Sequence, residues 1–193
     1  RVIPFILSEE EDLVGLAQTG TGKTAAFGLP IIQLLDERVH KIQALVLAPT
    51  RELCMQIAQD LTNYSQNMTN IKVVPVYGGE NIVNQMQRLN VPPQMLVATP
   101  GRLIDLIERG KIKLEDVRYL VLDEADEMLN MGFEEDLKTI LKTVPDTRRT
   151  FLFSATMPKT IVSIAEKYMK HYSEIMVGQR NAGAENIEHL YYY

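Results

Sequence analysis

Ala17-Gln18-Thr19-Gly20-Thr21-Gly22-Lys23-Thr24 joins an apolar, strand-like run at 13–17 to a segment with helical character. Glycines at 20 and 22 allow successive backbone N–H groups to converge on one point, and a helix opening there aims the positive end of its dipole at the same point. Such a turn holds an anion. Lys23 adds a point charge suited to the β- and γ-phosphates of a nucleotide, and the neighbouring Thr24 adds a hydroxyl suited to Mg²⁺. Gln18, Thr19, Gly20, Thr21, Gly22, Lys23 and Thr24 are therefore candidate nucleotide-binding residues. Ala17 stands where the general phosphate-loop pattern has glycine, so the strand before and the helix after must carry the assignment.

Working outward, short apolar runs recur at 44–48, 73–77, 95–98, 119–122 and 151–153, each of the length and character of a strand buried on both faces. Helical stripes lie between them. Leu53, Ile57, Leu61 and Tyr64 form one, and Phe133, Leu137, Ile140, Leu141 and Val144 another. Strands alternating with helices predict an α/β fold, with a mostly parallel twisted sheet covered by helices on both faces through right-handed crossovers. Pro75 inside a strand-like run predicts an edge strand, and Pro30 predicts a kink in the helix after the phosphate loop. A further strand-like stretch at 175–177 precedes the Gly- and Asn-containing segment 178–183, which reads as a domain exit.

Asp123-Glu124-Ala125-Asp126 follows the strand-like run 119–122, so Asp123 stands at the carboxyl end of a strand, where ligands of open α/β sheets bind. A phosphate-loop nucleotidase needs a carboxylate from a second strand for Mg²⁺, held directly or through water, and Asp123 with Thr24 fits that need. Glu124 is placed to orient and deprotonate an attacking water. The bland alternative is an acidic turn capping the helix that begins near Ala125. Pairing the acidic run with a phosphate loop favours chemistry over capping, and makes Lys23, Asp123 and Glu124 the candidate catalytic residues.

Among 193 residues, 46% are hydrophobic and 23% charged, the balance of an ordinary globular domain. The net charge of −5 excludes a uniformly basic surface, so any nucleic-acid contact must be local. One cysteine, Cys54, cannot make an internal disulfide, which favours a reducing, cytoplasmic setting. No apolar run approaches the roughly 20 residues that span a bilayer. His40, His171 and His189 show no metal-ligand spacing, and Met128 and Met131 read as packing residues beside the helix after the acidic run. The start at Arg1, followed at once by apolar residues, reads as a fragment.

The acidic run spells the signature of the DEAD-box RNA helicases, and the other motifs of that family stand in its order. After the phosphate loop come Pro49-Thr50-Arg51-Glu52-Leu53, Gly78-Gly79, Thr99-Pro100-Gly101-Arg102, the acidic run, and Ser154-Ala155-Thr156. The chain resembles the first RecA-like, phosphate-loop NTPase domain of that family over essentially its whole length. The resemblance implies a domain at 1–178, truncated at its N-terminus, then an interdomain linker and the start of a second RecA-like domain at 179–193.

It also implies ATP and Mg²⁺ as cofactors and a sequence-independent grip on the RNA backbone by Pro49, Thr50, Arg51, Gly78, Gly79, Thr99, Pro100, Gly101 and Arg102. Guanidinium groups, hydroxyls and helix-start N–H groups at these positions suit phosphate oxygens, although Thr50 and Thr99 would serve equally as helix caps. Coupling of hydrolysis to RNA binding is implied for Asp126, Ser154 and Thr156. The adenine-reading glutamine segment of the family and its arginine-bearing second domain are absent from these residues. The implied whole is an ATP-dependent RNA helicase, with an RNA clamp or a DNA-acting helicase as alternatives, and a fragment that is monomeric, binds nucleotide weakly and hydrolyses it poorly.

Overall fold

The computed structural model describes residues 1–18, 20–68 and 70–176. Thr19, His189, the predicted boundary at 178/179 and the segment 179–193 lie outside the described residues.

Seven strands form one sheet: β1 (Asp12–Leu16), β2 (Ala44–Leu47), β3 (Val73–Val76), β4 (Met95–Ala98), β5 (Tyr119–Leu122), β6 (Arg149–Ser154) and β7 (Tyr172–Met176). Their order is β3-β4-β2-β5-β6-β1-β7, and every neighbouring pair is parallel. Alternation at period two divides the strand residues between two apolar layers. Leu13, Val46, Val97, Val121 and Phe151 belong to one, and Val14, Leu45, Leu96, Leu120 and Leu152 to the other.

Helices α1 (Val2–Ser8), α2 (Lys23–Leu34) and α3 (Arg51–Tyr64) cover the first face through Ile6, Phe27, Ile31, Ile57 and Leu61. The second face carries α4 (Ile82–Arg88), α5 (Pro100–Glu108), α6 (Ala125–Asn130), α7 (Glu134–Thr143) and α8 (Lys159–Tyr168), through Leu103, Met128, Leu137, Ile140 and Ile161 among others. The chain crosses the sheet one way from β1 through β2 to β3, then turns and runs the other way from β3 to β7. The helices change face at that same turn, as crossovers of one hand require.

Close packing fixes β1 against its neighbours. A Cβ at Gly15 would lie 2.6 Å from the Phe153 ring, so the glycine makes room for the ring that meets Phe27 at 5.4 Å between centroids. Likewise a Cβ at Gly28 would come within 2.5 Å of Leu61, which lets α2 and α3 approach closely.

Pro75 does lie in an edge strand, opposite Val97 of β4. The helix after the phosphate loop continues through Pro30 to Leu34. Three expectations need correction. Tyr64 remains 36% exposed, and the buried face of α3 runs instead through Cys54, Ile57, Ala58 and Leu61. Met128 is fully buried, but Met131 is 47% exposed and packs little. The strand expected at 175 already begins at Tyr172, because an edge strand exposed on one side has no need of a continuous apolar run.

Candidate nucleotide and nucleic-acid site

Parallel strands put all their carboxyl ends on one edge, and the loops leaving β1 to β6 emerge there together. Four of these loops, those after β1, β2, β4 and β5, begin with a backbone hydrogen bond to the strand beside them. Ala17 N–H donates to Ser154 O, Asp123 N–H to Leu47 O, Ala48 N–H to Ala98 O and Thr99 N–H to Val76 O, all at 3.0 Å. The sheet therefore sets the spacing of these loops at their roots.

In the phosphate loop, Gly20 and Gly22 take φ of +76° and +80°, and Gly22 caps α2 in the left-handed region. No atom lies within 4 Å of a Cβ built at either, so the backbone angle and not crowding demands glycine. Thr21 Oγ1 closes the turn by donating to Gln18 O at 2.8 Å. Lys23 opens α2 and is 9% exposed. Its Nζ lies 3.7 Å from Asp123 Oδ1, within reach of an ion pair but too long for a hydrogen bond, and finds no hydrogen-bond partner among the described residues. Thr24 follows it in the first turn of α2, half-buried.

Asp123 ends β5 and is 2% exposed. Burial pushes its carboxyl above the usual aspartate range; the Lys23 ammonium opposes that shift and the Glu124 carboxylate adds to it. Asp123 Oδ1 accepts from Glu124 N–H at 3.0 Å. Glu124 has φ 51° and ψ 50°, a left-handed backbone that a residue with a side chain adopts only under constraint.

A buried ammonium with unspent donors beside a desolvated carboxylate suits a polyanion that brings its own cation. Among the described residues no group of three or more His, Cys, Asp or Glu side chains is arranged to hold a metal ion. Mg²⁺ that keeps its waters and takes phosphate oxygens requires only one or two protein ligands, and Thr24 with Asp123 can supply these. The residues present fit both groups.

Asp126, in the first turn of α6, reaches the end of β6. Its Oδ2 accepts from Thr156 N–H at 2.9 Å and Thr156 Oγ1 at 2.8 Å, and Ser154 Oγ donates to Thr156 O at 2.6 Å. Partial burial works against ionisation of Asp126, but hydrogen bonds, those from Thr156 foremost, outweigh it and hold the carboxyl below its ordinary range.

The loops after β2, β3 and β4 form a second cluster. Thr50 caps α3 by accepting from Leu53 N–H at 3.2 Å, so the capping alternative is realised there, whereas Thr99 makes no side-chain cap and Pro100 opens α5. The Arg51 guanidinium stands 5.0 Å over the Tyr77 ring, and Arg102 donates from both terminal nitrogens to Glu80 O at 3.1 Å each. Gly79 has φ +82°. Pro49 and Gly78 lie on the same loops, and Gly101 lies in the first turn of α5. Sequence reasoning did not pick out Tyr77, Glu80, Gln85 or Arg88, which frame this cluster.

The family model described as DEAD/DEAH box helicase matches residues 1–164. The chain belongs to that family. Over 191 residues it is 49% identical to the ATP-dependent RNA helicase CshA of Listeria monocytogenes, covering 99% of this chain and 36% of that protein. It is 46% identical to the DEAD-box ATP-dependent RNA helicase CshA of Bacillus subtilis, covering 38% of it. Among solved structures it matches a DEAD box protein from Methanococcus jannaschii, with TM-score 0.86, 45% identity, and coverage of 91% of this chain and 47% of that one. The chain thus spans well under half the length of the curated relatives it matches. The RecA-like α/β fold expected of a DEAD-box domain is the one found.

The remaining candidates are ordinary. Cys54 is fully buried, with its Sγ 3.3 Å from Val97 O, and burial pushes the thiol up to about 12. His40 and His171 are exposed. No helix among the described residues is long and apolar enough to cross a membrane.

Proposed function

We propose that this DEAD-box domain is the ATP- and RNA-binding half of an ATP-dependent RNA helicase, which couples nucleotide hydrolysis to local RNA strand separation or remodelling of RNA–protein complexes. The observation that carries the reading is Lys23 Nζ, buried without a hydrogen-bond partner among the described residues, beside Asp123 at the carboxyl edge of the sheet. Gln18, Thr19, Gly20, Thr21 and Gly22 cradle phosphates through their backbone, and Lys23 neutralises the β- and γ-phosphates. Thr24 and Asp123 hold Mg²⁺, which when bound offsets charge on the transferring phosphoryl group. Glu124, fixed by its constrained backbone, orients the attacking water and takes its proton.

The transition state calls for further positive charge. We assign this to a second RecA-like domain following the boundary near 178, so this domain alone binds nucleotide weakly and hydrolyses it slowly as a monomer. Pro49, Thr50, Arg51, Gly78, Gly79, Thr99, Pro100, Gly101 and Arg102 hold the sugar-phosphate backbone of single-stranded RNA. A local arginine pair on a chain of net charge −5 supports backbone contact confined to this patch. Asp126, Ser154 and Thr156 link the two clusters, and the setting is cytoplasmic.

The test is ATP hydrolysis by the full-length protein with RNA or DNA added, scored beside separation of a short RNA duplex. The reading expects RNA to stimulate more than DNA and the duplex to separate only with ATP. Equal stimulation by DNA would replace RNA as the substrate. Hydrolysis without separation would make the protein an RNA clamp.

A further inference from the structure

Arg51 opens α3 and Arg102 lies in the first turn of α5, yet both rest on the short segment after β3. Arg51 lies over the Tyr77 ring, with Nη1 3.5 Å from where a Cβ at Gly79 would stand, and Arg102 spends both terminal nitrogens on Glu80 O. The placement of both guanidinium groups therefore depends on where residues 77–80 are held.

Two side chains of α4 hold them. Gln85 is fully buried, accepts from Tyr77 N–H at 3.1 Å and donates to Tyr77 O at 2.9 Å, replacing the neighbour that β3 lacks beyond its end. Arg88 Nη2 donates to both carboxylate oxygens of Glu80 at 2.6 Å. Burial and the neighbouring Glu80 carboxylate push the Tyr77 phenol above its usual range. Glu80 thus joins the aromatic seat of Arg51, the carbonyl seat of Arg102 and the body of α4.

An acidic side chain beside two cations meant for phosphate is a puzzle on charge alone, because like charge repels a polyanion. We infer that Glu80 is a positioning residue for RNA, clamped by Arg88 so that the 77–80 segment presents Arg51 and Arg102 together to one strand of backbone. This inference rests on the RNA reading of the same loops. Arg88, whose Nη2 is committed to the Glu80 carboxylate, serves the clamp and not the phosphates.

The two accounts of Glu80 predict opposite signs. Neutralising a bystander carboxylate would tighten RNA binding, whereas releasing a positioning carboxylate weakens it. RNA affinity of the full-length protein is measured for Glu80→Gln, Arg88→Met and the double variant over a range of salt, with ATP affinity measured without RNA and the melting temperature alongside. We expect Kd for single-stranded RNA to rise about tenfold in either single variant, the size of one lost charge-assisted contact. The double variant should be no weaker than the worse single one. The salt slope should fall by about 0.7 for each arginine that lets go, while ATP affinity and melting temperature hold. Unchanged or tighter RNA binding by Glu80→Gln, with Arg51→Ala and Arg102→Ala both weakened, overturns the positioning role alone. Full RNA affinity in Arg51→Ala and Arg102→Ala overturns the RNA reading itself.

Discussion

Thr156 gives Asp126 Oδ2 two hydrogen bonds, one from its N–H at 2.9 Å and one from its hydroxyl at 2.8 Å. The end of β6 is thereby tied to the helix that carries the acidic run, and any shift of Asp123 and Glu124 must carry Thr156 with it. We expect Thr156→Ala to keep its ATP affinity and lose on the order of tenfold in RNA-stimulated hydrolysis, the cost of about one charge-assisted hydrogen bond. Nucleotide titration beside steady-state turnover checks this.

The same contact has a pH signature. The Asp126 carboxyl is held below its ordinary value of 3.8, so its contribution to stability is fully present above that value and lost as pH falls through the folded-state pKa. Chemical unfolding of wild type and Thr156→Ala should differ at every pH above about 3.8 and converge below it. A difference that widened on acidification would contradict the assignment.

Glu124 occupies the left-handed region at a cost of roughly 1–2 kcal/mol for a residue with a side chain. Glycine pays no such steric cost, while alanine does. Glu124→Gly should therefore melt higher than Glu124→Ala by an amount near 1 kcal/mol, although both lose hydrolysis. Equal melting of the two would mean the backbone is relaxed there.

Cys54 should resist alkylation at neutral pH in the folded protein, since burial holds its thiol near 12 and shields it from reagent. Mass spectrometry after brief exposure to iodoacetamide should find it unmodified, and modified once the protein is unfolded in urea. Rapid labelling of the native state would place α3 wrongly against the sheet.

Strand runs such as 44–48 and 119–122 were legible because strands buried on both faces have little freedom in composition, and the turn at Gly20 and Gly22 because only glycine takes those angles cheaply. The edge position of Pro75 followed from a missing donor. By contrast, α1 and α4 are seven residues each, too short for periodicity to emerge, and β7 escapes an apolar pattern because it is an edge. Asp126, Ser154 and Thr156 are grouped in the sequence only through the family likeness. Glu80, Gln85 and Arg88 carry no local signal, because their meaning arises when α4 folds back on the end of β3.

The account rests on Lys23 and Asp123 closing one nucleotide site together at the carboxyl edge of the sheet, with Glu124 acting on water beside them. RNA-stimulated ATP hydrolysis by the full-length protein, measured for Lys23→Ala and Glu124→Gln at saturating RNA, tests it most directly. The account predicts that stimulated turnover collapses in both variants, with nucleotide affinity falling for Lys23→Ala and surviving in Glu124→Gln. Stimulated turnover retained in both would contradict it.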